Sequence, residues 1–533
     1  MGNSSRKTDD ATSLKRRFSR RYQIDLVLEG CLVGLMGGGV VTLYRLSLSY
    51  AEKALRYFTG AALGKPVLML LWFVFLAFLV VIVGKLVTWE PATSGSGIPQ
   101  VDAEVIGHMD MPWHRVLAAK FIEGTACALG GLSLGREGPS VQLGGMAGKA
   151  VSKLLKRRRG EERLLVTCGA AAGMSAAFHA PLTGVLFALE EIHKEFTASL
   201  IISVMASSLV ADYLVSGVLG VAPVLHLAFS GDLPHSSYLL LIIFGIACGL
   251  IGAVHNRGMF TMQGLYNRIQ KGVPYLRYAI PFALAGIVAF TWPELMCGGD
   301  AIAEILMDPA KGTMTLMVAL LVGKYLFTSI SFGSGAPGGT LFPLVIMGGL
   351  VGAVFAFAGI QAGFIIPEYY KNFLVLGIAG LFASVVRAPV TGVVLAFELT
   401  GSLDAMLSVS LVSIISYLTA NLTKTDPFYE HLLAKQLGVA EDDEALSGMP
   451  TGKVLKGFSI SAGSALEGKL IKDIPWPDGT RIVMIKRAAS ELIPQGDTRL
   501  EALDELLFIM NADAEDDVTL KLDVMTRQPV SFR

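Results

Sequence analysis

The chain has 533 residues, 53% of them hydrophobic and 17% charged, with a mean hydropathy of +0.57. That average over such a length excludes an ordinary soluble enzyme and indicates a polytopic membrane protein. Lys+Arg and Asp+Glu balance at 44 each, so net charge offers no basis for a nucleic-acid partner.

In chain order, Arg6, Lys7, Lys15, Arg16, Arg17, Arg20 and Arg21 precede the first long apolar run. The positive-inside rule places this segment, residues 1–22, in the cytoplasm, and the basic stretch Lys156–Arg159 fits a second cytoplasmic loop. No cleavable signal peptide is expected, and Arg6 stands where a myristoylation motif after Met1-Gly2 would need Ser or Thr. Apolar runs then follow at roughly 24–50, 66–89, 115–132, 138–154, 163–192, 198–222, 237–267, 274–292, 313–332, 338–360, 367–399 and 404–422. Some are long enough to cross a bilayer; others are short and cut by Gly or Pro, the pattern of discontinuous helices around a midplane site. Cys31, Cys127, Cys168, Cys248 and Cys297 are scattered through them without ligand spacing and read as buried thiols.

Three glycine-rich segments interrupt the apolar runs: Gly95-Ser-Gly-Ile-Pro99, Gly135-Arg-Glu-Gly-Pro139 and Gly333-Ser-Gly-Ala-Pro-Gly-Gly339. Each leads into a helix, with Pro99 and Pro139 suited to the first turn. Helix N-termini carry unpaired N–H donors and partial positive charge, so several aimed at one point would hold a partly dehydrated anion without a full counter-charge. Taken singly, such a segment serves close helix packing equally well; three together, one carrying a carboxylate, point to an anion site. Glu137 is that carboxylate. An ionisable residue at membrane depth costs roughly 2.5–3.5 kcal/mol or more and marks a functional site by default.

Between the second and third segments the sequence starts to repeat. His179-Ala-Pro-Leu-Thr-Gly-Val-Leu-Phe-Ala-Leu-Glu190 matches Arg387-Ala-Pro-Val-Thr-Gly-Val-Val-Leu-Ala-Phe-Glu398 at a spacing of 208. Upstream, a spacing of 204 pairs Lys120 with Lys324, Gly135 with Gly339, Pro139 with Pro343, and Gly144-Gly145 with Gly348-Gly349. Two halves share one plan; an odd number of crossings per half would make the repeat inverted. Glu137 falls opposite Leu341, so the halves diverge at the site. Lys120 and Lys324 are expected to pair with carboxylates such as Asp102 or to cap carbonyl ends, ahead of shaping a pore potential. Glu398 reads as structural, and adjacent Glu190 and Glu191, considered alone, as solvated charges. His108, His114, His179 and His193 lack metal spacing. No metal site is expected, and the absence of His-Glu-x-x-His, nucleophile-elbow and phosphate-loop motifs argues against an enzyme.

The three segments, in order, resemble the signature motifs of the CLC chloride channel and transporter family, and the resemblance extends over about residues 22–437, including Pro427-Phe-Tyr429. It implies an all-α polytopic membrane protein with an inverted-repeat fold of about eighteen helices, assembled as a homodimer with one anion path per subunit. The implied anion site comprises Ser96, Gly97, Ile98, Glu137, Gly138, Thr340, Leu341 and Tyr429. Glu137 would gate it and carry protons, and Glu191 would load protons from the cytoplasm, making the protein a chloride/proton antiporter. Ser96 resembles chloride-selective members, with bromide and nitrate as weaker passengers. Leu341 departs from the Phe found in many members. The alternatives are a passive gated chloride channel and a regulatory membrane protein with a vestigial pore.

From Glu441 the character changes. Residues 438–450, with the charge run Glu441-Asp-Asp-Glu444 and Gly448-Met-Pro450, read as a linker after a membrane domain of residues 23–437. Residues 451–533 read as a small cytoplasmic α+β domain with short strands at Phe458–Ser461, Arg481–Lys486 and Glu505–Met510. Gly468–Ile474, Arg481–Arg487, Ile493–Asp497 and Asp504–Phe508 resemble the C-terminal lobe of RCK (TrkA-C-like) domains. No cofactor is expected. The resemblance leaves open a small-nucleotide regulator, cyclic di-AMP or an adenine nucleotide, and equally a dimerisation module without ligand.

Overall fold

The computed structural model describes residues 4–526 except 158, 195, 197, 221–230, 232, 270–274, 402–405, 439–452, 462–463, 465, 488–489, 503 and 512–514; side chains of residues 4–23 are outside the description. The chain divides into two compact units, Met1–Leu437 and Gly438–Arg533. Almost all of the expected linker, 438–450, lies outside the described residues.

The first unit is helical, and its elements recur in the same order. Helices α1 (Ser4–Ala62), α2 (Pro66–Trp89), α3 (Ile98–Ile106), α4 (Trp113–Leu129), α5 (Glu137–Leu154), α6 (Arg159–Phe178), α7 (Pro181–Phe187) and α8 (Ala198–Leu219) form one half. Their counterparts are α9 (Tyr238–Ile269), α10 (Leu276–Thr291), α11 (Asp300–Met307), α12 (Met314–Gly333), α13 (Leu341–Gln361), α14 (Tyr370–Val386), α15 (Pro389–Thr400) and α16 (Met406–Leu422); α17 (Phe428–Gln436) follows. Seven helices among the described residues are long and apolar enough to cross a membrane. α1 runs unbroken through the basic segment into the first span. The apolar runs 163–192 and 367–399 are each divided, at His179 and Arg387, which occupy equivalent left-handed positions (φ 55° and 71°) before Ala-Pro. Proline disfavours an α conformation at the residue before it, and Ala180 and Ala388 lie outside the α region there, so two helices replace one long one.

The halves pack by close backbone approach. α5 lies against α6 where Gly144 meets Gly169 and Gly173, and α13 lies against α14 where Gly348 and Gly352 meet Gly377 and Phe373. A Cβ at these glycines would run into main-chain atoms, so only glycine allows the approach; helix association in lipid relies on such contacts because lipid is as apolar as Leu. The halves also join reciprocally. Gly135 N–H donates to Gly339 O (2.6 Å) and Gly339 N–H to Gly135 O (2.7 Å). Contacts in which i meets j and j meets i are those of a two-fold arrangement.

In the second unit a four-stranded antiparallel sheet has the order β1-β4-β2-β3, with β1 Lys453–Ser459, β2 Thr480–Arg487, β3 Ser490–Leu492 and β4 Glu505–Asn511. β1 starts five residues before the expected strand because Val454, Lys456 and Phe458 alternate inward; Ser461 lies beyond its end. Phe458, Ile485, Leu506, Phe508 and Met510 form the core with Val518 and Leu522 of α18 (Glu515–Thr526). Arg487 clamps the turn before β4, donating to both oxygens of Asp504 (2.8 Å each) and to Glu501 (2.6 Å). Burial alone would raise the Asp504 carboxyl; the Arg487 bond and the Glu501 N–H outweigh it and hold the group below the usual carboxylate range.

Candidate functional site

The residues expected to bind an anion come together where the N-termini of α3, α5 and α13 meet. None of the three helices has a side-chain cap of its own: Gly97, Arg136 and Thr340 stand at the cap positions without closing a cap hydrogen bond. Gly97 is left-handed (φ 99°), which turns the chain from Ser96 into α3. Ser96 Oγ lies against Gly138 at the start of α5, where a Cβ would strike it, and Gly339 also packs there. Ile98 and Leu341, the first residues of α3 and α13, are buried. Tyr429 enters from α17, 1% exposed, and lies near the hydroxyls of Ser96 and Thr340. The Ser96 and Tyr429 hydroxyls are buried without a hydrogen-bond partner among the described residues. Two neutral donors and a set of uncapped N-termini suit a bound anion.

Glu137 has no solvent exposure. Its Oε2 accepts the backbone N–H of Phe342 at 3.2 Å, and Oε1 has no partner among the described residues. The carboxylate of one half thus sits on the helix N-terminus of the other, occupying the position a free anion would take. Phe342 is held between Phe178 (ring centroids 6.3 Å) and the Arg136 guanidinium (5.2 Å from the ring centroid). Two cavities border the cluster. One of about 30 Å³ is lined by Gly135, Arg136, Gly338 and Phe342 with Glu52 and Asp300. The other, about 420 Å³, reaches Ser96 past Gln263, Arg277 and Lys435.

Glu191 does not join this cluster directly. It lies in a π-helical turn, Ala188–His193, is 6% exposed, and its Oε1 is unpartnered among the described residues. Phe187 of α7, next to this turn in the chain, meets Tyr429 edge-on (6.3 Å). Asp102 on α3 and the Lys194–Glu430 pair (2.7 Å) lie within electrostatic reach of Glu191. The sequence reading gave Asp102 no such place; its position one turn into α3, on the helix face turned inward, was the available signal.

Lys120 and Lys324 take the second of the two roles expected of them, and Glu190 departs from its expected one. Lys120 does not pair with Asp102: its Nζ donates to Thr93 O (2.8 Å) and Gly95 O (2.7 Å). Lys324 repeats the arrangement on Leu295 O (3.1 Å) and Cys297 O (2.7 Å). Both lysines cap carbonyl ends. Glu190 is not a solvated charge: it accepts from Val390 N–H (3.3 Å), Thr391 N–H (2.8 Å) and Thr391 Oγ (2.7 Å) at the start of α15. Glu398 reciprocates at α7 through Leu182 N–H (2.8 Å), Thr183 N–H (2.7 Å) and Thr183 Oγ (2.5 Å). Glu104, Asp110 and Glu162 approach within 4.8 Å, but Lys149 Nζ already binds Glu104 and Asp110 at 2.5 Å each.

A family model described as voltage gated chloride channel matches residues 78–421, and one for the TrkA-C domain matches residues 455–523. The H(+)/Cl(-) exchange transporter ClcA of Salmonella paratyphi B is 32% identical over 466 residues, covering 82% of this chain and 97% of the relative. A slow cyanobacterial Cl−/H+ antiporter of known crystal structure superposes with a TM-score of 0.73 at 26% identity, over 78% of this chain and 98% of that one. A CLC-type fluoride/proton antiporter shares the fold at 21% identity, with a TM-score of 0.63 over 76% and 97% of the two chains.

Proposed function

The chain belongs to the voltage gated chloride channel family and has its inverted-repeat membrane fold, followed by a TrkA-C domain, and from this premise we propose that it is a chloride/proton antiporter. The observation that carries the reading is the Glu137 carboxylate seated on the N-terminus of α13. A carboxylate there competes with chloride for the same donors; protonated, it loses that attraction and yields the place. Anion and proton movement are thereby tied, because ionised Glu137 and chloride exclude one another. Ser96 and Tyr429 hold the anion on the cytoplasmic side, with Gly97, Ile98, Gly138, Thr340 and Leu341 shaping the site around neutral donors that release it readily. Glu191 exchanges the proton with the cytoplasm, where both termini lie. The relatives that this chain resembles at 32% and 26% identity are described as Cl−/H+ exchangers, which supports the same direction.

The protein works as a homodimer with one path in each subunit, and its TrkA-C unit regulates transport, with cyclic di-AMP or an adenine nucleotide as the class of effector. The deciding experiment is proton flux driven by a chloride gradient in proteoliposomes. Uphill proton movement, lost in Glu137→Gln and slowed in Glu191→Gln, is expected. Chloride flux without proton movement in the unsubstituted protein would make it a channel, and proton pumping retained in Glu137→Gln would remove that residue from the mechanism.

A further inference from the structure

Glu123 has no role in the cycle above, yet it is a carboxylate without solvent exposure. It lies on α4 three residues after Lys120. Its Oε2 has no partner among the described residues, and its Oε1 is 3.1 Å from Thr93 Oγ. Thr93 Oγ is also 2.7 Å from Glu90 O. A hydroxyl has one proton, so Thr93 cannot donate to both. In one arrangement Thr93 donates to Glu90 O and accepts a hydrogen bond from protonated Glu123. In the other, Thr93 donates to ionised Glu123, and Glu90 O keeps the Thr93 N–H at 3.1 Å. Rotation of one hydroxyl thus accommodates Glu123 in either protonation state.

The same turn reaches the anion site. Lys120 Nζ binds Thr93 O and Gly95 O, and Gly95 immediately precedes Ser96. The charged and titratable groups facing Glu123 are Lys120 and Cys127 on α4, Glu90 beside Thr93, Tyr44 on α1 and Tyr278 on α10. Lys120 is the cation among them, so the charge on Glu123 decides whether the positive charge behind Ser96 is opposed.

We propose that Glu123 is a second titratable group, separate from Glu137, whose charge sets the chloride affinity of the Ser96 site. Protonated Glu123 leaves Lys120 unopposed and chloride binds tightly; ionised Glu123 cancels Lys120 and chloride binds weakly. This inference rests on Ser96 and Tyr429 forming the anion site. A unit charge about 10 Å away at an effective dielectric of about 20 changes an affinity by roughly tenfold.

The test is calorimetric chloride titration of the purified full-length protein from pH 5 to 9 in a Glu137→Gln background, which removes the competing carboxylate. Chloride affinity is expected to weaken roughly tenfold with rising pH there, and to stay flat at the tight value in Glu123→Gln/Glu137→Gln. By reciprocity, chloride binding to Glu137→Gln must take up protons near the midpoint, a readout that needs no Glu123 variant. A flat affinity with no proton uptake in Glu137→Gln, or an unchanged pH dependence in the double variant, overturns the inference alone. Absence of chloride binding throughout overturns it together with the anion-site assignment.

Discussion

Glu190 and Glu398 hold the two halves together by capping each other's helices, and the equivalence of the two caps can be measured. Each carboxylate accepts two backbone N–H groups and one threonine hydroxyl across the interface between halves. Hydrogen bonds to charged acceptors contribute about 1.5–3 kcal/mol each when buried, and the helix N-terminus adds some tenths more. Both residues are half-buried, and glutamine retains one acceptor oxygen, so the expected loss per Glu→Gln substitution is about 2 kcal/mol. In a protein of this size that corresponds to roughly 2–4 °C in Tm, extrapolating the fall of Tm sensitivity with chain length. Glu190→Gln and Glu398→Gln should lower the melting temperature by equal amounts in detergent while leaving the chloride flux rate of the surviving protein unchanged. A shift at one position with silence at the other would falsify the two-fold reading of the interface. A fall in chloride flux from Glu190→Gln without any loss of stability would instead place that residue in the transport path.

Ser96→Ala and Tyr429→Phe each remove a buried hydroxyl from the anion site and should weaken chloride binding by roughly tenfold, about the value of one hydrogen bond to a charged partner, read by calorimetry at fixed pH. Lys120→Met and Lys324→Met strand two carbonyls each and should lower stability by about 2 kcal/mol apiece, measured as thermal inactivation. Gly352→Ala places a Cβ against the Phe373 carbonyl of α14 and should prevent the helix pair from closing, seen as loss of the monodisperse species on size exclusion. In the second unit, Asp504→Asn should destabilise by about 2 kcal/mol at neutral pH. Because the folded-state carboxyl lies below its unfolded value of 3.8, the stability it contributes is fully present above that pH and disappears as pH falls through the lower folded value. The gap between Asp504→Asn and the unsubstituted protein should therefore close in acid; an unchanged gap at pH 2 would refute the assignment.

Much of the site was legible because its chemistry is local. Gly-Arg-Glu-Gly-Pro places a carboxylate at a helix start within five residues, and the repeat spacing of 204–208 exposes two halves without any coordinates. The same local logic failed wherever the partner lay across the repeat. Glu190 looked solvated because its neighbours in sequence are Glu191 and a helix end, whereas its ligands are about 200 residues away on α15. For Lys120 the sequence left a carboxylate partner and a carbonyl cap both open, because a buried ammonium is satisfied by acceptors of either kind; the fold decides for the carbonyls of Thr93 and Gly95. β1 was misplaced because Lys456 breaks an apolar reading, while in the sheet its stem turns inward beside Val454 and Phe458.

By itself, then, the sequence determined the membrane class, the two-half plan, the helix N-termini and the carboxylate among them, since hydropathy, glycine placement and a buried charge act over a few residues. Only the tertiary structure decided which N-terminus receives Glu137, which helix each outer glutamate caps, and that Lys120, Thr93 and Glu123 form one network behind Ser96. The first two depend on the docking of the two halves and the third on the packing of α4 against the turn before α3, where hydrogen bonds form between groups that no local pattern relates.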